Sequence, residues 1–376
     1  MKLLWGVVRH LTFLSHIADA LYFTQSGQKS EHLALFAVLY RYLILIFMYL
    51  ASRKKWVFAL YFDYSPHQLQ ALSTSLLGIE PLQDINAAFF DLLFDSDVVQ
   101  RPVNPLEQQL ADEVSVLLAS DAPLGTEVSI LPTILTRLIN TIKNPGVDFI
   151  KVVTELCDDP DIAKDIIVIA NSKMYNPNNR EINTIDHATA IIGLVSVSFI
   201  ASTVLMSHVM QRKPTYFESF SQLIWKHSLL SAMACRDLAH QRNVNSFCCH
   251  LLGLVNNVGM VHLFNKLNQT LNDSGLTESP HPEIYQTLMK QHGSAATLLI
   301  AHQWELPEIV IDALTQQSEA EQTGFGEVLY LGSLLGKVSL LVERDKMSRQ
   351  AGIELLVSYD LPEDYVGMYL DMAEGV

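Results

Sequence analysis

The chain has 376 residues, 49% of them hydrophobic, with 40 acidic against 25 basic side chains and a formal net charge of -15. That length exceeds the roughly 250 residues that one core usually serves, so two or three domains are expected. A body this acidic, with no basic stripe of interleaved aromatics, repels a phosphate backbone and excludes nucleic acid as a partner.

The charge is unevenly placed, because residues 1–60 carry seven basic groups and only two acidic ones. Residues 1–100 therefore form an apolar, basic region suited to an anionic membrane surface. The run Leu3 to Val8 is cut short by Arg9-His10, and no cleaved signal is expected. The stretch 33–50 holds eighteen residues with one charge, Arg41, and is a candidate membrane helix. Its aliphatic and phenylalanine side chains contribute about -3 to -7 kcal/mol on an insertion scale, against about +2.5 to +3.5 for Arg41. Arg53-Lys54-Lys55 would hold the following segment in the cytoplasm. The alternatives are a buried helix of a soluble domain, or a true start at Met48.

Beyond Pro66, residues 67–99 read as helical and mixed. Arg101 to Pro105 reads as a linker, with a helix over 106–120 and a break at Asp121 to Gly125. From Ile130 to Gln317 the chain reads as a series of short helices with clear punctuation. Leu131-Pro132 opens the first, and Asn144-Pro145-Gly146 closes it. Asp159-Pro160 predicts a helix start, with Asp as N-cap and Pro at the first helical position. That helix is expected to end at Ala170-Asn171-Ser172, with Asn171 in left-handed geometry. No strand-length alternation recurs, so the module is all-α.

Four cysteines, Cys157, Cys235, Cys248 and Cys249, make neither a disulfide framework nor C-x-x-C metal spacing. Helical neighbours point about 100° apart, so Cys248-Cys249-His250 is not read as a ligand set but as buried free thiols beside a histidine. The stretch Gly253-Leu254-Val255-Asn256-Asn257-Val258-Gly259 sets two adjacent carboxamides in an apolar helix end. Asn competes with the backbone for hydrogen bonds, so a pair here marks a polar task. The plainer reading is a helix C-terminus closed by Gly259. Residues 318–376 are also helical, with Val328, Leu331, Leu334, Leu335, Val338 and Leu341 on one face and a last helix starting at Asp360-Leu361-Pro362. They pack either on the preceding module or on a second copy.

These segments resemble the HDOD domain, the HD-related output domain of bacterial signalling proteins. Leu131, Pro132, Asp159, Pro160, Ala170, Asn171, Ser172, Tyr175 and Gly193 are similar to the family's first helical half. Trp225-Lys226-His227-Ser228 looks like its W-x-H-S segment, Gly253 to Gly259 like G-L-L-H-D-I-G, His292-Gly293-Ser294-Ala295 like H-A-E-V, and Trp304-Glu305-Leu306-Pro307 like W-x-L-P. The resemblance covers residues 130–317 and implies two helical halves, the second like an HD domain. Residues 1–100 would be an N-terminal extension, 101–129 a linker and helix, and 318–376 a C-terminal extension.

Related HD hydrolases hold divalent metals with His and Asp and activate a water for phosphoester cleavage. Here the HD pair falls on Asn256 and Asn257, and a later histidine pair on Gln316 and Gln317; only His227 and His292 remain. Asn and Gln bring no charge to offset two dications or to lower the pKa of a bound water. His227 and His292 are expected to be satisfied core groups, with no metal or other cofactor. The expected function is a non-catalytic, cytoplasmic regulatory module that serves as a platform for signalling proteins. It is open to self-association and to tethering at the inner face of the inner membrane through residues 33–50. A phosphodiesterase of a nucleotide messenger and a small-ligand sensor are the alternatives.

Overall fold

The computed structural model describes residues 85–94, 103–119, 159–172, 175–176, 178–210, 216–275, 279–318 and 324–373. The stretch 33–50, Leu131-Pro132, Asn144-Pro145 and Cys157 lie outside them. The chain divides after Leu82, and all described residues belong to the second unit, Gln83–Val376. Among the described residues every regular element is helical and no strand occurs, as the punctuation implied.

The first helical half holds α3 (Pro160–Ala170), α4 (Ile185–Ile192) and α5 (Leu194–Met210). Asp159 caps α3 by accepting from the Asp161 and Ile162 amides at 3.0 and 3.4 Å, and Pro160 follows in the first turn. Asp159→Ala is expected to cost about 1 kcal/mol, read from the denaturation midpoint. An unchanged midpoint would mean that the cap holds nothing. Asn171 differs from expectation, since its backbone is right-handed (φ -80°). Its carboxamide does the work instead. Nδ2 donates to the Ile167 and Ile182 carbonyls at 3.0 and 2.8 Å, and Oδ1 accepts from the Ile182 amide at 3.0 Å. The side chain thus ties the helix end to a segment eleven residues on. Gly193, at φ +85°, makes the break between α4 and α5 that a Cβ would strain.

The second half is built on α6 (Glu218–Arg242), followed by α7 (Ser246–Val255), α8 (Val258–Asp273), α9 (Pro282–Gln303) and α10 (Glu308–Thr315). These are not uniformly short, because α6 runs 25 residues and α9 22. The buried face of α6 includes His227, Ser228 and Ser231, which hide its period from a hydrophobicity count. The left-handed Asn243 (φ 54°) ends it. Helices α8 and α9 pair antiparallel: Asn268 accepts from Tyr285 Oη at 2.9 Å, and the Gly259 amide donates to Thr297 Oγ1 at 3.0 Å. Trp304-Glu305-Leu306-Pro307 turns the corner into α10, with Glu305 left-handed (φ 53°) and the Leu306 amide returning to the Ala301 carbonyl at 3.0 Å.

The C-terminal helices α11 (Phe325–Glu343), α12 (Arg349–Val357) and α13 (Glu363–Ala373) pack back on the same body. Gly332 and Gly336 let α11 lie directly on Ser231, Cys235 and His227 of α6. Tyr369 Oη donates to Asp237 Oδ2 at 2.7 Å and Tyr365 Oη to the Ala234 carbonyl at 3.3 Å, fastening α13 to α6. Among the described residues two stretches, Ser246–Asp273 and Phe325–Glu343, are long and apolar enough to cross a membrane, but most of each such window is buried in this helical body.

Two helices precede the first half, α1 (Ile85–Phe94) and α2 (Pro105–Ala119). Residues read as a linker make the cap of α2. Asn104 Oδ1 accepts from the Leu106 amide at 3.0 Å, and Glu107 reaches back to the Asn104 amide at 2.8 Å. The other Glu107 oxygen accepts from the His281 amide at 3.2 Å, which ties α2 to the start of α9.

Candidate functional site

The site begins at His227, which α6 carries into the core with no exposed surface. Its Nε2 lies 3.0 Å from the Ser333 carbonyl of α11, and its Nδ1 lies 2.8 Å from Asn257 Nδ2. A carbonyl only accepts, so Nε2 bears the proton and Nδ1 accepts from the carboxamide. Desolvation, with Lys337 adding repulsion, pulls the imidazole down to about 3, so it is neutral near pH 7.

Asn257 is itself buried, and its Nδ2 also donates to Ser228 Oγ at 2.8 Å; the Ser228 hydroxyl then donates to the Ile224 carbonyl at 3.0 Å. Its neighbour Asn256 donates to Ser333 Oγ at 3.3 Å. The Asn256 carbonyl and the Gly293 carbonyl share the Thr297 hydroxyl at 3.3 and 3.0 Å. The two carboxamides thus tie the α7–α8 junction to α6 and α11, and the Asn256 backbone carbonyl ties it to α9. That is the polar task the pair marked. Gly259 does not close a helix. It sits inside α8, where a Cβ would lie 2.3 Å from the Thr297 amide nitrogen, so the residue is needed for close approach of α9.

The other three positions are His292, Gln316 and Gln317. His292 is half-buried on α9 and makes none of these hydrogen bonds, so it is not the satisfied core group expected. Gln316 and Gln317 form a 3-10 turn that holds the start of α11. Gln317 Nε2 donates to the Gly326 carbonyl at 3.2 Å, and the Gln316 carboxamide lies over the Gly326 Cα. Gly326 is two helical turns from Ser333, about 10 Å along the axis.

Among the described residues no three His, Cys, Asp or Glu side chains converge as a metal-binding group. The residues present do not fit the two divalent cations of HD hydrolases. His227 has both ring nitrogens spent, the carboxamide nitrogens beside it donate to protein acceptors, and a carboxamide oxygen brings no charge to offset a dication. The site is also covered. Phe89 of α1 lies with its ring centroid 4.7 Å from that of His227, and Lys337 reaches over the same phenylalanine at 5.9 Å.

The histidine beside the two adjacent thiols is buried as well. His250 of α7 has Nδ1 3.3 Å from the Ala232 carbonyl and Nε2 3.1 Å from Thr203 Oγ1, and packs on Phe199 at 5.0 Å. Burial, then the nearby Arg236, lowers it also to about 3. Arg236 pairs with Asp237 at 2.8 Å and lies 6.0 Å from the ring of Tyr175, which is how Tyr175 meets the second half. Cys235, Cys248 and Cys249 are buried free thiols, and burial pushes Cys248 to about 11 and Cys249 to about 12. Such thiols are inert at neutral pH.

No curated protein matches the chain. An HDOD domain protein of unknown function from Geobacter sulfurreducens is similar in structure at 17% identity, covering 71% of this chain and 94% of its own, with a TM-score of 0.48. A candidate metal-dependent phosphohydrolase of Shewanella amazonensis is similar at 18% identity over 67% of this chain and 97% of its own, with a TM-score of 0.48. A candidate signal transduction protein of Marinobacter aquaeolei is similar at 20% identity over 77% of this chain and 63% of its own, with a TM-score of 0.43. The model of the HDOD domain matches residues 128–320, just over half of the sequence, and the chain belongs to the HDOD family.

Proposed function

We propose that this protein is a non-catalytic regulatory module of bacterial signalling that works by binding other proteins. The observation that carries the reading is the use made of His227, Asn256 and Asn257. Both ring nitrogens of His227 are engaged within the protein, the carboxamide nitrogens of Asn256 and Asn257 tie the α7–α8 junction to α6 and α11, and among the described residues no carboxylate joins them. A metal-dependent phosphodiesterase acting on a nucleotide messenger would need an imidazole nitrogen free for the ion and anionic ligands beside it.

Metal content and chelator response test this directly. A metal at a hundredfold excess over its Kd stabilises the folded chain by about 2.7 kcal/mol, so a chelator would lower the melting temperature of a holoprotein. The expected result is no stoichiometric manganese or iron and a melting temperature unmoved by chelator. Asn256→His with Asn257→Asp is expected to restore no hydrolysis, since Asn257→Asp removes the donor to His227 and sets a buried carboxylate in its place. Stoichiometric metal, together with phosphodiesterase activity that disappears in His227→Ala, would overturn the reading.

A further inference from the structure

Helix α1 lies outside the family-matched residues, yet it is seated in the second half like a ligand. Phe89, Leu93 and Phe94 are buried and share one face, at spacings i, i+4 and i+5. Phe89 covers His227, while Phe94 enters an aromatic pocket of Phe217, Phe220, Phe264 and Tyr285 at centroid distances of 5.2 to 6.4 Å. The side-chain hydrogen bonds at its edge are solvent-exposed, Lys337 to Asn86 at 2.8 Å and Gln286 to Asp91 at 3.1 Å. A helix of 10 residues is too short to persist alone in water, so its helicity comes from the groove.

We propose that the groove of α6, α9 and α11 is a docking site for an amphipathic helix of a partner protein, and that α1 is its resident competitor. The partner helix carries aromatic or leucine anchors at i, i+4 and i+5 and an acidic outer face. The charge follows from the rim alone, where Lys337 and Lys290 stand over Phe89 and Phe90 at 5.9 and 5.3 Å. This is recognition of a helix in an apolar groove, with the side-chain pockets setting specificity. It rests on the reading of the protein as an interaction platform and names the surface and the partner's chemistry. A tethered α1 acts at an effective concentration on the order of millimolar, so a free helix enters when α1 is released.

The test uses the full chain and a labelled peptide of residues 83–96. The variant Phe89→Asp with Leu93→Asp should bind the peptide on the order of 100-fold more tightly than the wild type does. A Phe89→Ala peptide should not bind. A variant that unfolds cooperatively but leaves the peptide free would overturn the proposal. If that variant does not fold, hydrogen exchange of the wild type decides. The α1 amides should exchange through local opening, well ahead of those of α6, and exchange of α1 only on global unfolding would overturn the proposal. A dimer that passes α1 between two copies, seen by light scattering and lost in Leu93→Asp, would overturn it in favour of self-association. Metal-dependent phosphodiesterase activity would sink the platform reading without touching the peptide result, so the two failures are distinguishable.

Discussion

At pH 5 the folded chain is expected to be about 4 kcal/mol less stable than at pH 7.5, and the loss comes from two imidazoles. His227 and His250 are each held at about 3 by burial and by a nearby cation, Lys337 and Arg236 respectively. An unfolded histidine titrates at about 6.5. Between those values the unfolded chain binds protons that the native chain refuses, so stability rises with pH. The contribution is complete above about pH 7, falls by about 2 kcal/mol per histidine at pH 5, and stops falling below about pH 3. Most of that fall from pH 6.5 to 5 lies above the ordinary range of Asp and Glu, so the histidines dominate the early slope. Urea midpoints at the two pH values measure it. Identical midpoints would mean that both rings are protonated, or reached by water, in the native protein.

Gly253→Ala is expected to cost about 3 kcal/mol or more, at the upper end of overpacking effects. Its added Cβ would stand 2.3 Å from Ala232 Cα, 2.4 Å from Ala232 N and 2.6 Å from Ser231 C, all backbone of α6. No flexible side chain can swing aside, so α7 must move away from α6. That displacement drags Asn256 and Asn257 off Ser333 and His227. The contrasting change is Gly367→Ala on α13, where the nearest atom is Arg349 Nη2 at 3.8 Å. There the better helix former should be neutral or add up to about 1 kcal/mol. A Gly253→Ala protein that melts like the wild type would show that α7 and α6 do not meet at this distance.

Much of the fold was legible because helix starts, caps and breaks are local. Asp159 and Pro160 marked α3, and Asp360-Leu361-Pro362 marked the entry to α13. The replacement of the HD pair by Asn256 and Asn257 could also be read directly, as could the buried thiols. Less legible were α12, whose Ser348 cap went unread, and the length of α6, whose buried Ser and His disguise its period.

The sequence by itself determined an all-helical chain, its family, and a site stripped of anionic ligands, since these follow from residue types and spacings within a turn or two. Only the tertiary structure decided what the remaining polar atoms do. His227 meets Asn257 and Ser333, 30 and 106 residues away, Asn171 meets Ile182 eleven residues on, and Glu107 meets the His281 amide 174 residues away. It also decided that Gly259 serves a helix crossing rather than a turn, that Gln316 and Gln317 hold α11 instead of facing His227, and that Phe89 covers the imidazole. Hydrogen-bond partners, like close backbone approaches, depend on which helices meet, and no local window of residues contains that information.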